Sequence, residues 1–262
     1  MTAGTADPRP GSASLGVTAM GPPDARAIVF VHGTRLSRAV WTPQLDALSD
    51  EFRTIALDLP GHGARAGERF GLDDAADVVA ATIRDQAAGG RAVVVGLSLG
   101  GYVAMTLAAS QPALVRGLVI AGASAEPVGV GSLPYRALAG GMARFGGPRL
   151  DRLNAWFFRT RYPPAIAEPI VAGGFWSSGG AEALRTLVGR RFAPRLAAYP
   201  GPTLILNGEL DLLFRLSAPT FATAARDAQR VRLAGAMHLA NLDRPAAFSS
   251  AVREFARSLG PG

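Results

Sequence analysis

Arg91-Ala92-Val93-Val94-Val95-Gly96-Leu97-Ser98-Leu99-Gly100-Gly101 joins an apolar run to a helix-forming one. Ala92 to Val95 reads as a strand buried on both faces, since three of its four residues are β-branched and none is polar. Residues 102–109 have helix-forming composition. Between them lies Gly-Leu-Ser-Leu-Gly, and strand, sharp turn and helix with a serine at the apex is the context that gives G-x-S-x-G its meaning. The turn brings backbone close to backbone at Gly96 and Gly100, where a Cβ does not fit. It also lifts the Ser98 hydroxyl to a helix N-terminus, whose amides favour developing negative charge. A glycine-rich turn with a bystander serine is the competing reading, and it is tested by looking for partners.

Working outward, the elements alternate. Residues 15–20 suggest a short edge strand, and Ala27-Ile-Val-Phe-Val31 a central one. A loop from His32 runs to Trp41, and a helix begins at Thr42-Pro43 with Thr42 as its cap and Leu45 and Leu48 on one face. A strand over 52–57, a helix over 72–88, the Ser98 unit and a strand over 114–121 follow. This strand–helix order predicts an α/β fold with a mostly parallel twisted sheet covered on both faces.

From 125 to 197 the strand-like runs vanish. Helical pieces are predicted over 133–145, 148–161, 164–172 and 181–191, which reads as a helical lid inserted into a core of residues 15–124 and 198–262. The lid aromatics Trp156, Phe157, Phe158, Phe175 and Trp176 either roof a pocket or form the lid's own small core. Alternation resumes with a strand over 202–206, a helix over 217–228, a strand over 229–233 and a closing helix over 245–259.

Composition narrows the function classes. With 48% hydrophobic and 18% charged residues among 262, the chain is globular. It has no cysteine and three histidines, which excludes disulfides and thiolate metal sites and argues against a His-rich metal cluster. The net charge of +7 comes from 27 basic residues, all arginine, against 20 acidic ones. These arginines are scattered, with no run longer than Arg190-Arg191 and no basic-aromatic motif, so no nucleic-acid partner is expected. Residues 1–14 read as disordered and lack the apolar core of a signal peptide, and no stretch is apolar enough to span a bilayer. A cytoplasmic setting without a membrane partner is the expectation, as a monomer or a homodimer.

A serine hydroxyl needs a base. His32 directly follows a strand and His62 sits in a Pro-Gly-His-Gly turn, so both read as loop-fixing residues. His238, in the loop after the last strand, shares with Ser98 the carboxyl edge where sites of parallel sheets assemble. Asp211, after the preceding strand, is the acid that orients it, with Glu209 as the alternative. The order Ser98, Asp211, His238 differs from the two other serine-protease orders. The oxyanion donors are the amides of Leu99 and of Thr34, where Gly33 lets the chain turn.

These motifs resemble the α/β-hydrolase superfamily with a helical lid, over essentially the whole chain after residue 15. His32-Gly33 resembles its oxyanion loop, with Trp41 where that loop often carries a tryptophan. Asp58-Leu59-Pro60-Gly61-His62-Gly63 resembles its D-x-P-G-x-G turn, and Gly96 to Gly100 its nucleophile elbow. Gly208-Glu-Leu-Asp211 resembles its acid loop, and His238-Leu-Ala-Asn-Leu-Asp-Arg-Pro245 with Phe248 its histidine loop. Within the superfamily the chain looks most like the enol-lactonase, small-esterase and perhydrolase branch. Two positions depart from the pattern: Met237 stands where glycine or alanine is usual, and Leu242-Asp243 where Leu/Ile-Glu is common. Serine at 98 argues against relatives with a carboxylate nucleophile.

The resemblance implies hydrolysis of a small carboxylic ester or lactone through an acyl-enzyme, with no metal or organic cofactor. C–C bond hydrolysis, acyl transfer or a lyase reaction on the same three residues is the first alternative, and a ligand-binding protein on this fold the second. Gly33, Arg35, Trp156, Phe157, Trp176 and Met237 are the expected substrate-binding residues. Arg35 and Arg38 either pair with a substrate carboxylate or are surface arginines of an arginine-rich chain.

Overall fold

The computed structural model describes residues 14–260, so the segment 1–14 expected to be disordered lies outside the described residues but for Ser14. Seven strands, β1 (Val17–Met20), β2 (Ala27–Val31), β3 (Arg53–Leu57), β4 (Ala92–Leu97), β5 (Val115–Ala121), β6 (Pro202–Gly208) and β7 (Asp227–Leu233), form one sheet. Their order is β1-β3-β2-β4-β5-β6-β7. β1 runs antiparallel to β3, and every other pairing is parallel.

The apolar runs of β2 and β4 are continuous because both faces are covered. On one face Ile28, Phe30, Val93 and Val95 pack with Trp41, with Leu45 and Leu48 of α1 (Thr42–Leu48), and with Phe248 and Val252 of α11 (Pro245–Ser258). On the other, Val29, Val31 and Val94 meet Val79 and Ile83 of α2 (Leu72–Gln86) and Val103 and Leu107 of α3 (Leu99–Ser110). β7 closes one edge with exposed Arg230 and Arg232, charges that discourage further strand pairing.

Between β5 and β6 come α4 (Leu133–Phe145), α5 (Pro148–Arg161), α6 (Pro164–Ala172), α7 (Ser177–Leu187) and the short α8 (Ala193–Ala198). The first three match the predicted ranges. α7 begins four residues before the expected start, because buried Gly179 and Gly180 are packed at a contact that propensity cannot see. α9 (Leu212–Ala224) likewise starts directly after Asp211, not at 217. Its first five residues include exposed Leu212, Leu213 and Leu216, which hid the helical period. A single-turn helix, α10 (Ala240–Asp243), was not predicted. Thr42 is not the cap of α1. Trp41 holds that place, and the Thr42 hydroxyl donates to the Ala39 carbonyl at 2.9 Å.

Register sets the height of the site. Leu97 pairs with Ala121, and Ala121 with Leu206, so three strands end in one row. The ladder continues one step beyond: Ser98 N–H donates to Ala121 O at 2.7 Å, and Gly122 N–H to Leu206 O at 3.2 Å. The elbow is pressed onto β2. An ideal Cβ on Gly100 would lie 2.1 Å from the Val31 carbonyl oxygen and 2.8 Å from that of His32.

Helix propensity alone favours alanine over glycine by about 1 kcal/mol. That gain is overridden at Gly100, where the obstruction is backbone. Gly100→Ala is therefore expected to destabilise the protein by about 3 kcal/mol or more, read as a lowered denaturation midpoint. An unchanged midpoint would mean that helix and strand can separate without cost.

Candidate active site

Ser98 sits between β4 and α3 with φ 52° and ψ −116°, a strained conformation for a side chain with a Cβ. Its hydroxyl lies 3.0 Å from His238 Nε2. On the other side of the same ring, Nδ1–H donates to Asp211 Oδ2 at 2.8 Å. Asp211 is 9% exposed, while the His238 side chain remains 40% exposed and open to the cavity. Glu209 does not compete, because its Oε2 accepts the Gly235 N–H at 3.0 Å. Glu126 is also occupied, accepting the N–H groups of Phe192 and Ala193.

The imidazole is held on two further sides. The Phe214 ring stacks on it, with centroids 5.0 Å apart and planes at 24°. Gly122, at φ 56°, lies beneath it: an ideal Cβ there would stand 3.0 Å from both Cε1 and Nδ1 of His238. Neither residue was singled out from the sequence. Gly122 directly follows a predicted strand, and that was the available signal. Phe214 was hidden by the misplaced start of α9.

Gly33 backs directly onto the elbow, its ideal Cβ 3.4 Å from Ser98 Cβ. The Arg35 N–H is already used, donating to His62 Nε2 at 3.3 Å. Leu36 N–H donates to Gly33 O. The Thr34 amide has no acceptor among the described residues, and neither has Leu99 N–H, an orphan donor in the first turn of α3. The two amides expected to face an oxyanion are thus unspent.

The Alpha/beta hydrolase family profile matches residues 28–251. The chain belongs to the alpha/beta hydrolase family. It is similar to a 2-(acetamidomethylene)succinate hydrolase of Mesorhizobium japonicum, 32% identical over 87% of each chain. It is also similar to a 3-oxoadipate enol-lactonase of Acinetobacter baylyi, 25% identical over 94% of each. Among solved structures, a thermophilic esterase from Thermogutta terrifontis superposes with a TM-score of 0.76 at 26% identity, covering 94% of this chain and 93% of the other.

In this alpha/beta hydrolase, Ser98, Asp211 and His238 open onto a cavity of about 370 Å³. Gly33, Arg35 and Phe157, expected to bind substrate, line it, and so does Thr34. Trp156, Trp176 and Met237 do not. On α5 the cavity takes Asn154, Phe157 and Phe158, one helical face, and Trp156 falls on the opposite face, 62% exposed. Trp176 turns away: its Nε1–H donates to Gly173 O at 3.0 Å, and the ring borders a neighbouring cavity. Met237 is tied through its N–H to Asp243 Oδ2 at 2.7 Å, with its side chain in solvent. Arg38 is also elsewhere, bound to buried Asp58 and to Thr18. The lid aromatics divide: Phe157 and Phe158 reach the cavity, while Phe158 also stacks on Phe175, centroids 5.6 Å apart. Apolar lining from Pro134, Leu138, Leu184 and Leu213 had no sequence signal of its own.

The loop histidines fix the backbone on either side of Thr34. Buried His32 accepts the Leu59 N–H at Nε2 and donates from Nδ1 to Gly33 O. His62 accepts from Arg35 and donates to Pro60 O. Burial, reinforced by the His32 ring, holds the His62 imidazole at about 3, below its ordinary 6.5. Burial likewise lowers His32. A lowered folded value means that the unfolded chain binds the proton first. The contribution of the His62 imidazole to stability is therefore fully present above pH 6.5 and is lost as pH drops from there toward about 3. Calorimetric unfolding midpoints should fall between pH 6.5 and about 5, and His62→Gln should flatten that slope. An unchanged slope would remove His62 from this account.

Proposed function

We propose that this alpha/beta hydrolase is a serine hydrolase that cleaves a small carboxylic ester or lactone through an acyl-enzyme. The observation that carries the reading is one imidazole hydrogen-bonded to both the Ser98 hydroxyl, at 3.0 Å, and the Asp211 carboxylate, at 2.8 Å. Ser98 Oγ attacks the substrate carbonyl as its proton passes to His238 Nε2. The Asp211 carboxylate fixes the tautomer and stabilises the imidazolium. The negative oxygen of the tetrahedral intermediate is held by the amides of Thr34 and Leu99, each such donor being worth roughly 10²–10³ in rate. Collapse breaks the C–O bond, and His238 returns the proton to the departing alcohol. Water then attacks the acyl group, giving one proton to His238. The acid departs, and Ser98 recovers its hydroxyl proton. The chain's own groups carry every proton, and no metal or organic cofactor enters.

The cavity supports small substrates, since about 370 Å³ with a mostly apolar lining suits a short acyl or alkyl group. Relatives named as an enol-lactonase and as pimeloyl-[acyl-carrier protein] methyl ester esterases act on the same classes of bond. In this reading residues 125–197 are a lid. Pro134, Tyr135 and Leu138 of α4, Phe157 of α5 and Leu184 of α7 wall the cavity above Ser98 and limit its contact with bulk solvent, leaving room for the single water that deacylation consumes.

A panel of p-nitrophenyl esters of increasing chain length, together with lactones, tests the assignment. Ser98→Ala is expected to lower kcat by roughly 10⁴–10⁶-fold on whichever ester the wild type prefers. A fluorophosphonate should label the wild type alone, and ¹⁸O from labelled water should enter the acid product. Turnover surviving in Ser98→Ala would overturn the reading.

A further inference from the structure

Among the described residues, two that are not glycine have left-handed backbone: Ser98, at φ 52°, and Arg35, at φ 64°. Both line the same cavity. Non-glycine residues persist in that region only where the surroundings over-determine them, and such positions cluster at functional sites. Arg35 is over-determined. Its N–H donates to His62 Nε2 at 3.3 Å, and its carbonyl accepts the Trp176 N–H at 2.9 Å. The consequence of this clamp is an arginine directed inward, whereas Arg38, three residues on, turns to Asp58.

The guanidinium is poorly matched where it lies. Several arginines of the chain sit in carboxylate pairs, as Arg159 does with Glu168 at 2.8 Å and Arg161 with Asp243 at 2.9 Å. Arg35 donates from Nη1 to the neutral Asn154 Oδ1 at 3.4 Å. Asp151 acts on it from beyond ion-pair distance and borders the neighbouring cavity instead. Asn154 also has a buried Nδ2 without an acceptor among the described residues. The lining of the cavity it shares is largely apolar, with Leu36, Pro134, Leu138, Phe157 and Leu184 among its residues. A cation in such surroundings is only partly compensated, and a carboxylate offers its planar fork the bidentate partner that it lacks.

We propose that Arg35 is a specificity-determining residue, and that the natural substrate carries a carboxylate that the Arg35 guanidinium engages inside the Ser98 cavity. The proposal rests on the hydrolase reading for the bond cleaved, but the anion subsite stands on its own geometry. Engaging the carboxylate leaves the acyl transfer chemistry unchanged: it fixes where the scissile carbonyl lies relative to Ser98 Oγ.

Two matched substrate pairs test it. p-Nitrophenyl hemiglutarate against p-nitrophenyl valerate places the charge on the acyl side. 4-Acetoxybenzoate against phenyl acetate places it on the leaving group. In at least one pair the ratio of kcat/KM, charged over neutral, should fall by about 10- to 100-fold in Arg35→Gln, with partial recovery in Arg35→Lys. Which pair responds identifies the side that bears the carboxylate. Ratios unchanged within about twofold in both pairs would overturn the proposal. Binding of monomethyl glutarate to Ser98→Ala, measured by calorimetry with and without Arg35→Gln, separates the two readings. Binding that is lost with Arg35 while no ester or lactone is turned over supports the subsite and refutes ester hydrolysis. Binding indifferent to Arg35 refutes the subsite. Unfolding midpoints of both Arg35 variants establish that each is folded.

Discussion

The His238 imidazole lies across the end of β5, and it fits there because Gly122 has no Cβ. Ser98 ends β4 on one side of that strand, and Asp211 follows β6 on the other. A ring reaching from one to the other must cross the residue between them. The ideal Cβ of Gly122 would fall 3.0 Å from two ring atoms and 3.4 Å from Asp211 Oδ2. The strand order thus creates an obstacle, a glycine removes it, and the hydrogen bonds of 2.8 and 3.0 Å follow from the gap.

A buried network holds the gap at this size. Asn207 Oδ1 accepts the Gly122 N–H at 3.2 Å, and its Nδ2 donates to Ser124 Oγ at 3.1 Å. Ser124 in turn donates to the Phe214 carbonyl at 2.8 Å. Three hydrogen bonds therefore tie the end of β6 to the residue under the imidazole and to the residue stacked on it. All four residues concerned, Gly122, Asn207, Ser124 and Phe214, are buried, where an unmade bond is costly, so the arrangement has few alternatives. Asp58 plays the corresponding part beside the loop after β2, accepting the N–H groups of Arg38 and Ala64 at 2.7 and 2.9 Å.

Elements with an unbroken apolar period, such as β2, β4 and α2, were legible because both their burial and their period derive from local sequence. Ser98, Asp211 and His238 were legible for a related reason. Each follows a strand, and parallel strands deliver their carboxyl ends to one edge. What stayed hidden was set by distant partners. The Ser177-Ser-Gly-Gly start of α7 looks like a loop until Gly179 is seen against Gly61, where an ideal Cβ would lie 2.0 Å from a carbonyl oxygen. Trp156 and Trp176 looked like pocket residues because they are aromatic. Which face of a helix meets a cavity depends on how the helix docks, and one chain read alone does not fix that.

The docking itself has a chemical logic. The inserted helices are fastened to the two loops that flank Ser98. Arg161 and Tyr162, at the end of α5, both donate to Asp243 Oδ1, at 2.9 and 3.0 Å. The other oxygen of that carboxylate accepts Met237 N–H, one residue before His238. On the opposite side Trp176 N–H donates to Arg35 O, and the Thr34 hydroxyl donates to Gly180 O at 3.3 Å. Displacing α5 or α7 therefore disturbs hydrogen bonds to the loop before His238 or to the loop that carries Thr34 and Arg35. Walling the cavity and aligning its polar groups are, in this chain, done by the same few hydrogen bonds.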